Sequence, residues 1–246
     1  MTVLKVTKHN DLITSRINFT LNEYRIFLYG ISLMDPMDEN FPLSYEIDIS
    51  KFASMFNCNL GGLYTELKTE IIKRLHKRSM TVDKGNGWKR HFGLVHYVEY
   101  CDKQGIVKII FDEELKPFVN QLKGHFTSYY IERIAYFKST YSIRFYEFCV
   151  MRLKQNEGKP TQFFLTIQEL KERLEIEKKY KLYSDLKRRV ILKSFEEINA
   201  FSDLSARYEE IKKGRSVHQL KIIVKYKKWE KKEKQYTINF DPKLKV

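Results

Sequence analysis

The chain matches itself when its sequence is shifted by 118 or 119 residues. Three blocks keep their order: residue 25, residues 48–52 and residues 63–68 align with residue 144, residues 166–170 and residues 182–187. The clearest block reads LYTELK in the first half and LYSDLK in the second. Repeats of this kind indicate two copies of one structural unit within a single chain. The fold must therefore be one that roughly half of the chain can complete.

Length and hydrophobic content are sufficient for two separate cores. The chain has 246 residues, of which 43% are hydrophobic, and domains of about 100–150 residues are the commonest size. We predict one domain at residues 1–123 and a second at residues 124–246.

Residue periodicity predicts the same order of elements in both copies: a helix, a strand, a short helix, a long helix and a β-hairpin. In the first copy these are helix 19–33, strand 43–49, helix 51–56, helix 63–77 after a turn at Gly61 and Gly62, and strands 79–82, 88–100 and 106–111. In the second copy they are helix 141–154, strand 163–167, helices 168–174 and 183–199, and strands 204–211 and 217–226. Residues 124–138 join the copies and are predicted to contain a short helix.

This order of elements is that of a winged helix, in which a β-hairpin, the wing, follows a helix-turn-helix. The predicted fold class is α+β, with two tandem winged-helix domains related by internal duplication. A lysine-rich run at residues 225–232 is predicted to form a strand whose lysines protect a solvated edge.

Charge divides unequally between the two copies. Residues 1–120 hold 16 lysines and arginines against 15 acidic residues, whereas residues 121–246 hold 29 against 16. Nearly all of the net charge of +14 thus belongs to the second copy. A strongly basic domain attracts polyanions, and DNA or RNA is the first candidate partner.

Cysteine usage and hydropathy favour a reducing, non-secreted compartment. Cys58, Cys101 and Cys149 are odd in number and form no C-x-x-C pair, so neither a disulfide framework nor a zinc site is predicted. Apolar runs are too short to span a membrane, and no signal peptide is predicted.

The long helix of the second copy is the predicted recognition helix. A helical wheel at about 100° per residue places Leu186, Val190, Ile191 and Ile198 on one half. It places Asp185, Arg188 and Arg189 on the other half, with Lys193 at its edge and Lys187 toward the apolar side. Exposed arginines in this position are suited to guanine edges or phosphates. Asp185 could accept from cytosine or orient an arginine, but we favour a structural role in which it complements the helix dipole.

Two further sets of basic residues are candidates for contact with DNA. The wing of the second copy carries Lys212, Lys213 and Arg215 on a tight turn, where they could contact phosphates. The long helix of the first copy carries Lys68, Arg74 and Lys77, interrupted by Glu66 and Glu70. Mixed charge of this kind predicts weaker DNA contact, or contact with protein, for the first copy.

The chain resembles the initiator Rep proteins of iteron-containing plasmids that replicate by the theta mode. The resemblance spans residues 4–226 and rests on residues 8–13 (KHNDLI), 141–147 (YSIRFYE), 185–191 (DLKRRVI), 197–199 (EIN) and 212–215 (KKGR). It implies two winged helices that bind directly repeated sites in a plasmid origin. By position, Arg188, Arg189 and Lys187 become contacts of the recognition helix with DNA. Arg144 and Tyr146 match the family pattern as well, but we interpret them as helix scaffold.

The resemblance also implies partners and regulation. The C-terminal copy would supply the stronger DNA contacts, and the N-terminal copy would take part in dimerisation. Dimers would bind an operator and repress the initiator's own gene, which contributes to plasmid copy control. Monomers would bind the origin repeats and promote opening, with the host replicative helicase and initiation machinery as partners. The expected location is the bacterial cytoplasm, associated with the plasmid or nucleoid.

Residue patterns for catalysis are missing from the sequence. The six histidines form no His-x-His pair of the kind used by nicking enzymes, and no G-x-x-x-x-G-K-[ST] motif is present. We therefore predict no enzymatic activity, cofactor or metal. Two alternatives remain open: a winged-helix transcriptional regulator with no replication role, and a structural or partner-binding protein whose charge serves solubility.

Overall fold

The computed structural model describes residues 4–228, the side chains of residues 83–85 excepted. The first copy contains β1 (Lys5–His9), α1 (Asn10–Thr14), α2 (Leu21–Ser32), β2 (Ser44–Asp48), α3 (Ile49–Met55), α4 (Leu60–Glu66), α5 (Ile72–Leu75), β3 (Ser79–Gly85), β4 (Trp88–Gly93), β5 (Val95–Cys101), β6 (Ile106–Phe111) and α6 (Lys116–Val119). After it come β7 (Phe126–Tyr130), α7 (Thr140–Gln155), β8 (Thr161–Thr166), α8 (Ile167–Arg173), α9 (Tyr183–Leu186), α10 (Lys193–Phe201), β9 (Leu204–Lys213) and β10 (Ser216–Tyr226).

The two copies form sheets of the same topology. Each has three antiparallel strands, in the order β2-β6-β5 in the first copy and β8-β10-β9 in the second. In each, the strand before the helix-turn-helix pairs with the last strand of the hairpin. The predicted pair of winged helices is confirmed. β10 ends at Tyr226, and residues 229–232 of the predicted lysine-rich strand lie outside the described residues.

A second hairpin, β3–β4, is present in the first copy and has no counterpart among the described residues of the second. The single strand predicted at residues 88–100 is therefore wrong, since it divides into β4 and β5, which belong to different sheets. The chain changes direction at Leu94, which is fully buried and donates its backbone N–H to the carbonyl of Arg78 at 2.8 Å. Anchoring of Leu94 in the core separates the two strands.

Both long helices contain one π-helical turn. Leu67–Ile71 links α4 to α5, and Lys187–Leu192 links α9 to α10. In each helix the buried side chains are spaced by four: Leu63, Leu67, Ile71 and Leu75 in the first, and Leu186, Val190, Ser194 and Ile198 in the second. In a regular helix, each step of four rotates the side chain by about 40°. A wide turn takes up this rotation, so all four residues face the core.

The start of the first long helix differs from the prediction. Asn59 is its N-cap, and its side-chain oxygen accepts from the N–H of Gly62 at 2.8 Å. Gly61 and Gly62 therefore lie inside the first turn of the helix instead of in a turn before it. An asparagine cap satisfies a backbone donor that has no partner within the helix, which outweighs the poor helix propensity of glycine.

The segment that joins the copies also differs from the prediction. Residues 126–130 form β7, which pairs antiparallel with β1 from the start of the chain, and Ile131–Ile134 forms a 3-10 turn. The short helix predicted at residues 124–138 is therefore largely replaced by a strand. The sequence FTSYY is rich in residues favoured in strands, and Thr127 and Tyr129 are its buried members.

A buried polar cluster lies where the copies meet. The carboxylate of Glu147 accepts hydrogen bonds from Tyr24 at 2.5 Å and Tyr129 at 2.6 Å, and pairs with the ammonium of Lys8 at 2.6 Å. Arg144 lies beside it and donates to the backbone carbonyl of Ser15 at 2.7 Å. Burial lowers the pKa of Lys8 to about 8 despite its ion pair. The cluster joins β1, α2, β7 and α7 within one continuous core.

Candidate nucleic-acid interface

The long helix of the second copy, residues 183–201, presents two arginines to solvent. Its opposite side is fixed by Leu186, Val190 and Ile191, which are fully buried. The side chains of Arg188 and Arg189 are 69% and 62% exposed. Two guanidinium groups on one exposed helix face form an arrangement that matches guanine edges or phosphate oxygens.

Asp185 lies one turn before these arginines and contacts both. Its carboxylate is 3.0 Å from Nη2 of Arg188 and 3.9 Å from Nε of Arg189. Each guanidinium has five N–H donors, so one carboxylate leaves most of them available. The geometry adds orientation of the two arginines to the dipole role predicted for Asp185, which lies in the first turn of the helix.

Lys187 points away from the arginines, toward the wing. Its ammonium pairs with the carboxylate of Glu210 on β9 at 2.8 Å, and the hydroxyl of Tyr183 donates to the same carboxylate at 2.8 Å. These interactions raise the pKa of Lys187 and lower that of Glu210. Glu210 therefore connects the recognition helix to the wing and engages a side chain predicted to contact DNA.

The wing presents three more of the predicted cations of the second copy. Lys212, Lys213 and Arg215 are all exposed around the tip of the β9–β10 hairpin. Gly214 at the tip has φ +62 with open space around it, a conformation that other residues adopt only with strain. Lys193 is also exposed, four residues after Arg189 on the recognition helix.

Two of the predicted cations on the first long helix form ion pairs within the protein. Lys68 pairs with Asp102 of the β5–β6 turn, and Arg74 pairs with Glu70 one helical turn earlier. Lys77 is exposed just after the helix ends. The basic face predicted from Lys68, Arg74 and Lys77 is thus largely neutralised by its own acidic neighbours.

Two features of the second copy are not among the predicted site residues. Leu192 is 38% exposed and lies four residues after Arg188, on the arginine face. Lys178, Lys179 and Lys181 are exposed in the segment that leads into the recognition helix. Their signal is present in the sequence, since three lysines within four residues directly precede a helix-turn-helix recognition helix.

Within residues 4–228, no group of histidine, cysteine and acidic side chains is arranged to hold a metal ion. None of the helices in this range is long and apolar enough to cross a membrane.

Comparison with known proteins gives matches over most of the chain. A model of the initiator replication protein WH1 domain matches residues 5–150, and a model of the initiator Rep protein WH2 domain matches residues 166–224. A replication initiation protein of Escherichia coli is 27% identical over 212 residues, which cover 83% of this chain but only 65% of that protein.

The fold has also been observed in a solved structure. The crystal structure of the Pi initiator protein in complex with iteron DNA matches with a TM-score of 0.76 at 20% identity, covering 93% of this chain and 99% of that chain. Together with the two domain models, this similarity accounts for both winged helices and for their order. The chain belongs to the initiator Rep protein family.

Proposed function

We propose that the protein is a plasmid replication initiator that binds directly repeated sites, or iterons, in duplex DNA at the plasmid origin. The observation that carries this proposal is the exposed pair Arg188 and Arg189, oriented by Asp185 on a recognition helix beside a cationic wing. Family membership and the fold shared with an initiator crystallised on iteron DNA support the same function.

The two winged helices contribute unequally to DNA binding. The second copy supplies the main sequence-specific contacts through Arg188, Arg189 and Lys193, with phosphate contacts from Lys212, Lys213 and Arg215. The first copy binds DNA more weakly, because Lys68 and Arg74 each pair with a carboxylate of their own, whereas Arg188 and Arg189 share one. It is also the copy through which the protein dimerises, and the dimer binds an operator and represses its own gene.

Origin opening proceeds without catalysis by this protein. Binding energy and DNA bending open the duplex, and the host replicative helicase and initiation machinery are recruited afterwards. The protein acts in the bacterial cytoplasm, associated with the plasmid. Two linked winged helices contact both halves of a direct repeat with one chain, which raises the effective concentration of the second contact.

Footprinting on the DNA that flanks the protein's own gene tests this proposal. We expect several direct repeats to be protected in phase at protein concentrations that leave unrelated duplex unprotected. A single protected operator with no protected repeats would favour the alternative, a winged-helix transcriptional regulator with no replication role. Absence of any selective protection would contradict both functions.

Replacement of Glu210 by glutamine is expected to strengthen DNA binding. Glutamine still accepts from Tyr183, but it carries no charge to hold the ammonium of Lys187, which a phosphate can then attract. The plot of log affinity against log salt should steepen by about one unit, as measured by fluorescence anisotropy from 50 to 200 mM salt. Lys187→Gln in the same background should return the slope to its starting value, and an unchanged slope in Glu210→Gln would contradict this role.

A further inference from the structure

The helix-turn-helix of the second copy has an enlarged turn. In the first copy, residues 56–59 connect α3 to α4, and their sequence FNCN carries no charge. In the second copy, residues 174–182 connect α8 to α9, and this basic loop contains Lys178, Lys179 and Lys181. The enlargement thus adds cations at the start of the recognition helix, in the copy that already carries the excess positive charge.

The first half of the basic loop is fixed to α8. Glu175 has φ 51, Ile176 donates its N–H to the carbonyl of Lys171 at 2.9 Å, and Glu175 donates to Glu172 at 3.1 Å. This is a Schellman ending, in which an apolar residue follows the left-handed one and packs against the helix. Ile176 is that residue and is 1% exposed.

The second half of the basic loop is held by side chains. The ammonium of Lys171 donates to the carbonyl of Tyr180 at 3.1 Å, and the ring of Tyr180 lies 6.4 Å from the ring of Tyr141 on α7. Glu177 pairs with Arg16, which precedes α2 in the first copy. The loop backbone is therefore fixed at both ends and on the side of the first copy.

The three lysines are left on the outer side of this fixed loop. Lys178, Lys179 and Lys181 are exposed, while the acidic Glu177 is turned toward Arg16. A fixed loop loses little further conformational entropy when its side chains meet a ligand. The polyanion that lies beside a recognition helix is the DNA backbone, and helix N-termini are among the protein groups that contact its phosphates.

We propose that the basic loop is a phosphate-binding element that contacts the DNA backbone beside the groove read by Arg188 and Arg189, on the side nearer the first copy. This inference rests on the proposed function and extends it from the recognition helix and wing to a third DNA contact. Lysine is suited to this role because it binds phosphate as a point charge, without the directional demands of base recognition.

The test compares the full chain with its Lys178→Ala, Lys179→Ala, Lys181→Ala variant on the protected repeat and on an unrelated duplex of equal length. Each lost phosphate contact lowers the salt slope of log affinity by about 0.9, so the triple variant should lose about 2–3 units. Discrimination between the two duplexes should be unchanged, and hydroxyl-radical protection should be lost beside the groove. A triple replacement by arginine should retain the slope.

The control removes the same charge from the end of the second copy remote from the wing with Lys154→Ala, Lys225→Ala and Lys228→Ala. These residues lie at the opposite end of the sheet from the wing tip, because Thr161 pairs with Val224. A loop variant that keeps the wild-type slope, or a control that loses as much, would overturn the inference. Failure of the wild type to prefer the repeat would instead contradict the proposed function, while the slopes on either duplex still decide the role of the loop.

Discussion

Replacement of Arg188 and Arg189 together by alanine is expected to abolish specific DNA recognition. Each arginine that contacts a base edge contributes about 1–3 kcal/mol, so loss of both should weaken binding to the repeat by about 2–6 kcal/mol. Affinity for unrelated duplex should fall much less, because the proposed phosphate contacts of the wing are retained. Anisotropy titrations of the double variant on both duplexes measure the change in affinity and in selectivity.

Matched variants separate this effect from a general loss of charge. Lys154→Ala with Lys225→Ala removes two exposed cations remote from the wing tip and should leave selectivity intact. Lys68→Ala, Arg74→Ala and Lys77→Ala together should cost less than the arginine pair, because Lys68 and Arg74 each have a carboxylate of their own. Unchanged affinity and selectivity in the double arginine variant would show that another surface reads the DNA.

Replacement of Glu147 by alanine is expected to destabilise the whole protein. Its removal leaves the buried ammonium of Lys8 without a counter-charge and leaves Tyr24 and Tyr129 without their acceptor. Removal of one partner from a buried ion pair costs about 3–5 kcal/mol, which corresponds to about 6–20 °C in Tm for a chain of this size. Urea denaturation followed by circular dichroism measures the loss.

A double-mutant cycle distinguishes the ion pair from simple loss of packing. If the charge of Lys8 is the cause, Lys8→Met with Glu147→Gln should cost less than the sum of the two single changes. The exposed pair of Arg16 and Glu177 provides the comparison, since Glu177→Ala should cost less than about 1 kcal/mol. A similar small loss for Glu147→Ala would mean that the buried cluster does not stabilise the junction between the copies.

Features encoded within short stretches of sequence could be predicted. The repeat gave the order of elements in both copies because each helix and strand carries its own apolar periodicity. The buried face of the recognition helix was identified correctly through Leu186, Val190, Ile191 and Ile198. Arg188 and Arg189 were placed on its exposed face for the same reason.

Features that depend on distant partners could not be predicted in this way. β7 is a strand because β1 pairs with it from more than 100 residues earlier in the chain, and no local pattern reveals that pairing. Lys187 points toward the wing because it pairs with Glu210 on β9, which lies more than 20 residues later in the chain. The π-helical turns had a local signal, since buried residues recur at every fourth position, but a regular helical wheel does not represent it.

Because β1 pairs with β7 and Glu147 of α7 binds side chains from β1, α2 and β7, the long helices of the two copies are held at a fixed separation and angle before any ligand arrives. Such a molecule binds best to DNA whose half-sites have one matching spacing. One extra base pair between the halves of a repeat shifts the second half by about 3.4 Å and turns it by about 35°, and a rigid protein cannot follow. Spacing between half-sites would then be read as stringently as their bases.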